Sequence, residues 1–245
     1  MLKIRALTMQ AVRSHLAHSG YLEVDTPLLS PTLIPESHLE VFETRFAHPD
    51  RESRPLYLIP SPEIWIKRLL AEGAGNLFQL GKSFGNGESL GRLHEPEFTM
   101  LEYYTVDAGY MESIEVTERL VRALLDATGE AAAAYRVARG LEPVAPALET
   151  PFERISVSEA FERFGGVSAR YLGEVEALHH IARRHGMRTR EQDSYEELFN
   201  RLFVHLVEPE LPPDRGIVLY DYPAAVPTLA RQKEGTPWSE RWELY

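Results

Sequence analysis

The sequence predicts an α+β fold, because helical patterns accompany strands that are expected to pair in antiparallel fashion. Apolar residues recur at helical spacing over residues 3–18 and 111–127. Residues 77–84 and 98–104 have the pattern of two strands joined by a glycine-rich loop. Mostly antiparallel strands with helices beside them place the chain in the α+β class.

The amino-terminal part is predicted to combine helices with short strands. The first helix ends at Ser19-Gly20, since glycine readily takes the left-handed conformation found at helix ends. The further elements expected here are three strands and one helix, at residues 21–24, 40–46, 56–59 and 62–72.

The carboxy-terminal part is predicted to be largely helical. Residues 129–150 are rich in alanine and proline and are expected to form a linker or a loosely packed excursion. Residues 155–207 hold several helical patterns, the clearest on Leu198, Leu202 and Leu206. The predicted strands that follow are residues 217–221 and 242–245.

Length and composition limit the classes of function. A chain of 245 residues is expected to be a single domain, residues 1–245, with a helical excursion at about residues 129–210. The absence of cysteine excludes thiolate chemistry and suits a reducing cytoplasm. No apolar run is long enough to span a membrane, so no membrane association is expected. The formal charge of −11 makes tRNA a less favoured partner.

Residues 94–104, His-Glu-Pro-Glu-Phe-Thr-Met-Leu-Glu-Tyr-Tyr, carry the most informative pattern. Their alternation is that of a strand, which we expect to be a central one, with Phe98, Met100, Glu102 and Tyr104 on one face. An unpaired carboxylate between aromatic rings is costly in a core. The face is therefore expected to bind a cationic, hydrogen-bonding ligand.

Several segments, in this order along the chain, resemble the class II aminoacyl-tRNA synthetases of the lysyl branch. Residues 77–104, LFQLGKSFGNGESLGRLHEPEFTMLEYY, resemble motif 2, and residues 19–46 resemble motif 1. Residues 58–84 resemble the lysyl amino-acid pocket, and residues 218–232 and 239–245 resemble the run into the metal-binding strand. The resemblance implies an antiparallel sheet flanked by helices, and ATP-dependent activation of an amino acid.

Within this branch the chain most resembles the paralogue family of elongation factor P–(R)-β-lysine ligases. It begins with the helix that precedes motif 1, where a lysyl-tRNA synthetase would carry an anticodon-binding domain. Ser61-Pro62-Glu63 stands where the synthetase usually has Ala-Pro-Glu. The resemblance implies that lysine or β-lysine is transferred to a lysine of elongation factor P, and that motif 1 forms a homodimer.

The resemblance implies four substrate-binding residues. Glu63 and Glu102 match the acids that hold the lysine amines, Tyr104 matches a ring that bonds the side-chain amine, and Ser61 belongs to the same pocket. Carboxylates suit this role because an ammonium group removed from water needs a counter-charge. From the residues alone, Glu63 could instead stabilise a helix dipole, and Ser61 could be a helix N-cap.

ATP is the implied cofactor, together with Mg²⁺. Phe98 matches the ring that stacks on adenine, and His94 and Glu88 match nucleotide-contacting residues. Glu243 matches a ligand of magnesium and ATP.

The chain also departs from the family pattern. Gly85 stands where the family has the arginine that grips the α-phosphate, and glycine cannot replace a guanidinium group. Arg92 in the same loop is the nearest candidate substitute. The loop is one residue longer than usual, so the ATP-contacting glutamate of the family could align with Gly87 instead of Glu88. The sequence stops at Tyr245, before motif 3 with its arginine and a second acidic metal ligand, so we expect weak ATP binding and little or no adenylation.

Three functions therefore remain open. The first is the ATP-dependent ligase, in a C-terminally truncated form. The second is a catalytically impaired synthetase-like remnant that binds a ligand or partner, which Gly85 favours. The third is a fragment of a lysyl-tRNA synthetase.

Two further groups of residues are not expected to be functional. His179, His180 and His185 are not expected to hold a metal, because adjacent side chains on a helix point apart. Arg183 to Arg190, a basic run, is interpreted as a solvated helix end.

Overall fold

The computed structural model describes residues 1–33, 40–87, 91, 94–143 and 151–245. These form two compact units that are treated separately below. Unit 1 comprises Met1–Ala108 with Ala123–Leu141, and unit 2 comprises Gly109–Arg122 with Glu142–Tyr245.

Unit 1 contains two small sheets and two helices ahead of the long helix that both units share. Its elements are α1 (Leu2–His18), β1 (Leu22–Glu23), β2 (Leu29–Ser30), β3 (Glu43–His48), β4 (Arg51–Leu58), α2 (Glu63–Ala71), β5 (Leu77–Phe84), β6 (Glu97–Tyr104) and α3 (Tyr110–Val137). One sheet has the order β1-β5-β6, and the other has the order β2-β4-β3.

The β5–β6 pair is the element that positions the candidate site. The two strands run antiparallel from Leu77↔Tyr104 to Phe84↔Glu97 with no register shift. This confirms the predicted antiparallel pair. The expected central position of β6 is wrong for the part of the chain that the structure describes, where β5 is central and β6 lies at the edge. Alternation along a strand reports which faces are polar, but it carries no information about the neighbouring strands.

Helix α3 corrects the prediction for residues 129–150. The helix continues to Val137, ten residues past the predicted end at 127. The added residues include the run Ala131–Ala134, and alanine has the highest helix propensity of all residues. The helix is followed by a turn at Gly140, with φ of 70°. Residues 144–150 of the predicted linker lie outside the described part.

Unit 2 combines a helical layer with a three-stranded sheet. Besides the first half of α3, its elements are β7 (Glu153–Ser156), α4 (Val157–Arg163), α5 (Val175–Arg184), α6 (Tyr195–Leu202), β8 (Ile217–Pro223) and β9 (Trp238–Leu244). β8 is central, with β7 parallel and β9 antiparallel to it. The predicted helices and the last two strands are confirmed. Strand β7 was not predicted, since it is only four residues long.

The core of unit 2 explains why its helices form where they do. Phe161, Phe199 and Phe203 are buried and pack together, with ring centroids 5.5 to 6.3 Å apart. A capping box begins α6: Ser194 Oγ accepts from the Glu197 backbone N–H, and the Glu197 carboxylate accepts from the Ser194 N–H.

The basic run beside α5 is exposed, as expected. Arg183 and Arg184 lie in the last turn of the helix, where positive charge suits the helix dipole. Among the helices of the described residues, none is long and apolar enough to cross a membrane.

Candidate functional site

Two faces of the β5–β6 pair have different surroundings. Thr99 and Tyr103 face helix α1 and the residues after it: Arg5 donates to Thr99 Oγ1 over 2.6 Å, and the Tyr21 ring packs edge-on to Tyr103. Glu102, on the other face, meets Ser61 instead. The alternation predicted from the sequence is therefore confirmed.

Ser61, Glu102 and Tyr104 form a continuous hydrogen-bonded group, which we call the carboxylate cluster. Ser61 Oγ donates to Glu102 Oε2 over 2.5 Å, and Tyr104 Oη donates to Glu102 Oε1 over 2.6 Å. Each carboxylate oxygen has two lone pairs, so Glu102 keeps acceptor capacity on both oxygens. All three residues are partly buried, as a binding pocket requires.

Ser61 also connects this cluster to the beginning of α2. Its Oγ accepts the backbone N–H of Glu63 over 3.1 Å, and Glu63 is the first residue of the helix. The N-cap of α2 is Pro62, so the interpretation of Ser61 as the N-cap is wrong, although its hydroxyl still accepts the first N–H of the helix. The Glu63 carboxylate contacts the ammonium group of Lys67, one helical turn later.

The electrostatic environment keeps the Tyr104 phenol protonated. Burial raises its pKa well above the usual value, and the hydrogen bond to Glu102 adds to this effect. The negative charges of Glu102 and Glu63 raise the pKa further. Glu63 is thus close enough to act electrostatically on the cluster. The negative charges of Glu102 and Glu63 therefore act on the same region, as a site for cationic groups would require.

The residues predicted to bind ATP are only partly described. Phe98 is half-buried on β6, on the same face as Glu102 and directly across from Ser83 of β5. The Ser83 hydroxyl is buried and has no hydrogen-bond partner among the residues that the structure describes. His94 is exposed. Glu88 and Arg92 lie outside the described residues.

The loop after β5 is held by contacts that were not predicted from the sequence. Asn86 forms an isolated bridge with Glu40, and the Gly85 N–H donates to Pro96 O over 3.0 Å. Gly87 has φ of 77°, and a Cβ there would lie 2.5 Å from Glu40 Oε2. The positive φ favours glycine at position 87, and a larger residue would also require the Glu40 carboxylate to move. No local pattern in the sequence points to Glu40.

Glu243 lies on β9 of unit 2. Its Oε1 accepts from Arg241 Nε over 3.1 Å, and its Oε2 accepts from Tyr245 Oη over 2.9 Å. No group of three or more acidic, histidine or cysteine side chains within the described ranges could hold a metal ion. A single carboxylate that is already paired with arginine is a poor fit for Mg²⁺, which prefers several oxygen ligands.

One further contact could have been predicted from spacing alone, whereas a contact group in unit 2 could not. Lys67 follows Glu63 by four residues on a predicted helix, and this spacing brings side chains together. In unit 2, Lys233 Nζ donates to Asp221 Oδ2 over 2.7 Å, and Tyr110 Oη donates to Asp221 Oδ1 over 2.9 Å. Asp221 has φ of 60° at a bulge in β8, a conformation that no sequence pattern indicated.

Comparison with known proteins agrees with these observations. Residues 1–245 match the family described as tRNA synthetases class II (D, K and N). The elongation factor P–(R)-β-lysine ligase of Haemophilus influenzae strain PittGG is 32% identical over 243 residues, which cover 98% of this chain and 68% of that protein. The ligase of the same name from Pectobacterium atrosepticum is 34% identical over 245 residues, with the same coverage. Because the family model matches the whole chain, the protein belongs to the class II tRNA synthetases of the D, K and N group.

Proposed function

We propose that this protein activates lysine or β-lysine with ATP and transfers it to a lysine side chain of elongation factor P. The proposal rests on the relatives, which are named as elongation factor P–(R)-β-lysine ligases, and on the chemistry of the carboxylate cluster. The names of the relatives support elongation factor P as the acceptor, and this chain's own residues support the substrate class.

The main evidence for the substrate class is the hydrogen bonding of Glu102. Its carboxylate is oriented by Ser61 and Tyr104, both of which donate to it, so it can only accept bonds from a ligand. Glu63 places a second carboxylate near this group. A ligand with two ammonium groups would satisfy both acids, while a neutral side chain would leave Glu102 without a counter-charge.

The reaction would proceed in two steps that this site supports by positioning. A carboxylate oxygen of the amino acid attacks the α-phosphorus of ATP, which forms the aminoacyl adenylate and releases pyrophosphate. The lysine amine of elongation factor P then attacks the acyl carbon, forms an amide and releases AMP. Glu63 and Glu102 would hold the ammonium groups, and Phe98 would stack on adenine. Because the residues near Glu243 fit a metal poorly, no step is assigned to one.

The direct test is lysylation of elongation factor P followed by intact-mass measurement. The purified chain is incubated with ATP, elongation factor P and either lysine or (R)-β-lysine. We expect a mass increase of one aminoacyl group that is lost in E102Q. E97Q is the matched control, because Glu97 lies on the same strand but its carboxylate contacts Lys82, which projects from the other face. No modification by wild type with either amino acid would contradict the proposal.

A second candidate function is favoured by one observation, Gly85. A synthetase-like domain that binds its amino acid without activating it would need the carboxylate cluster but no cation for the α-phosphate. Pyrophosphate exchange separates the two candidates, since it requires only ATP and the amino acid. Lysine binding without any exchange would favour the binding domain. The net charge of −11 argues against tRNA as the acceptor in either case.

A homodimer is the expected assembly. Leu22 on β1 has 59% of its surface exposed, and β1 is at the edge of its sheet in the described residues. An exposed apolar side chain on an unpaired strand edge is suited to an interface with a second copy.

A further inference from the structure

We propose that Lys67 competes with the amino-acid ligand for Glu63, and that this competition sets how tightly diamino ligands bind. The inference rests on the proposed function, because it assumes that a ligand ammonium group meets Glu63. Lys67 is not among the residues that were predicted to form the pocket.

The geometry supports competition because one carboxylate serves two cations. The Lys67 ammonium contacts Glu63 Oε1, and Glu63 is the first residue of α2. The Glu63 side chain is 23% exposed, so only part of it is open to further partners. A ligand ammonium that binds there must share the carboxylate with Lys67 or displace it, and two ammonium groups side by side repel each other.

A ligand ammonium group can displace Lys67 readily because the ion pair between Lys67 and Glu63 is weak. The Lys67 side chain is 46% exposed. Ion pairs between residues four apart on a helix surface stabilise the helix only slightly. Water and salt therefore compete well for the displaced lysine. Lys67 would keep the charge of Glu63 balanced between turnovers and would make product release faster, at the expense of affinity.

A different interpretation is that the pair only stabilises α2. Glu63 precedes Lys67 along the helix, which is the favourable order for such a pair. In that case removal of Lys67 would lower the melting temperature slightly and leave ligand affinity unchanged. The two interpretations therefore differ in a quantity that can be measured directly.

The test is calorimetric titration of lysine into wild type and K67M. We expect K67M to bind lysine between about three and ten times more tightly, because the cost of breaking the pair and the ammonium repulsion both disappear. K67R retains a positive charge and should bind as wild type does. K82M is the matched control, since Lys82 is similarly exposed (48%) but contacts Glu97. In the E63Q background, K67M should no longer change the affinity.

Each outcome decides the matter. Competition is supported if K67M raises the affinity for lysine in the wild-type background and no longer does so in the E63Q background. Unchanged or weaker binding in K67M overturns it, and thermal melting of each variant shows whether the fold is intact. A wild-type chain that binds lysine no better than leucine would instead overturn the proposed pocket and the competition with it. That result is distinct, because a failure of the competition alone leaves the wild-type preference for lysine in place.

Discussion

Ser61 Oγ donates a hydrogen bond of 2.5 Å to Glu102 Oε2, which joins the start of helix α2 to a strand residue 41 positions later in the chain. The same hydroxyl accepts the Glu63 N–H over 3.1 Å. One side chain thus contacts both the carboxylate of Glu102 and the backbone of Glu63, the two acids that are predicted to hold the ligand's amines.

The first prediction is that S61A weakens lysine binding by about three- to tenfold. The Glu102 carboxylate, a charged acceptor, would lose the hydrogen bond that Ser61 donates. The first turn of α2 would also lose its link to β6. Titration calorimetry measures the change. S83A is the control, because the buried Ser83 hydroxyl has no partner among the described residues and its removal should cost nothing. Equal affinities of S61A and wild type would show that Ser61 is dispensable.

The β5–β6 pair was predictable from sequence because both its length and its alternation are local properties. The two faces, with Tyr103 on one and Glu102 on the other, followed from the two-residue period of a strand. The edge position of β6 could not be predicted in the same way, since neighbours in a sheet come from distant parts of the chain. The end of α3 was mispredicted because residues 129–150 contain both alanine, which favours a helix, and proline, which does not, and composition alone does not give the residue at which the helix ends.

The site was predictable where residue type alone limits the role. Glu102 between aromatic residues indicated a pocket, and the structure brings Ser61 and Tyr104 to it. The contact between Glu40 and Gly87 could not be anticipated, because it joins two loops and depends on a positive φ angle. The assignment of each residue to a particular ligand atom stays a prediction.

The second prediction concerns pH. The pKa of Tyr104 is raised by burial and by Glu102, so the phenol should remain a donor throughout the range below about pH 10. Y104F should therefore weaken lysine binding by the same factor at about pH 7 and about pH 9. Calorimetric titrations at the two pH values provide the measurement. An effect that disappears at the higher pH would mean that Tyr104 has already ionised.

The same shift has a consequence for stability. A tyrosine whose pKa is raised by folding contributes stability that is fully present below the unfolded pKa and is lost as pH rises above it. The unfolded phenol ionises first, from about pH 10. Urea unfolding at rising pH should therefore show a smaller loss of unfolding free energy above about pH 10 in Y104F than in wild type.

The third prediction is that L22E shifts the protein from dimer to monomer. Leu22 is exposed on the edge strand β1, and a carboxylate there would be desolvated in a two-fold interface. Light scattering after size exclusion gives the mass of each variant. L229E is the control, since Leu229 is 75% exposed but belongs to unit 2. Monomeric wild type at micromolar concentration would contradict the proposed assembly.

The fourth prediction concerns the missing phosphate contact. G85R should raise the rate of lysine-dependent pyrophosphate exchange by at least about tenfold, because a guanidinium group can pair with the α-phosphate as negative charge develops on it. Gly85 follows β5 directly, on the chain segment that joins the two strands of the site. Exchange is measured with labelled pyrophosphate, ATP and either lysine or β-lysine.

The control for G85R is G129R, which adds the same charge on α3, where the space around the glycine Cα is open. Its exchange rate should equal that of wild type. If wild type already exchanges pyrophosphate rapidly and G85R brings no gain, another cation must neutralise the phosphate. Arg92 is then the first residue to replace, because it belongs to the same motif 2 loop. Loss of exchange in R92A would assign the phosphate contact to Arg92 and explain why position 85 can be glycine.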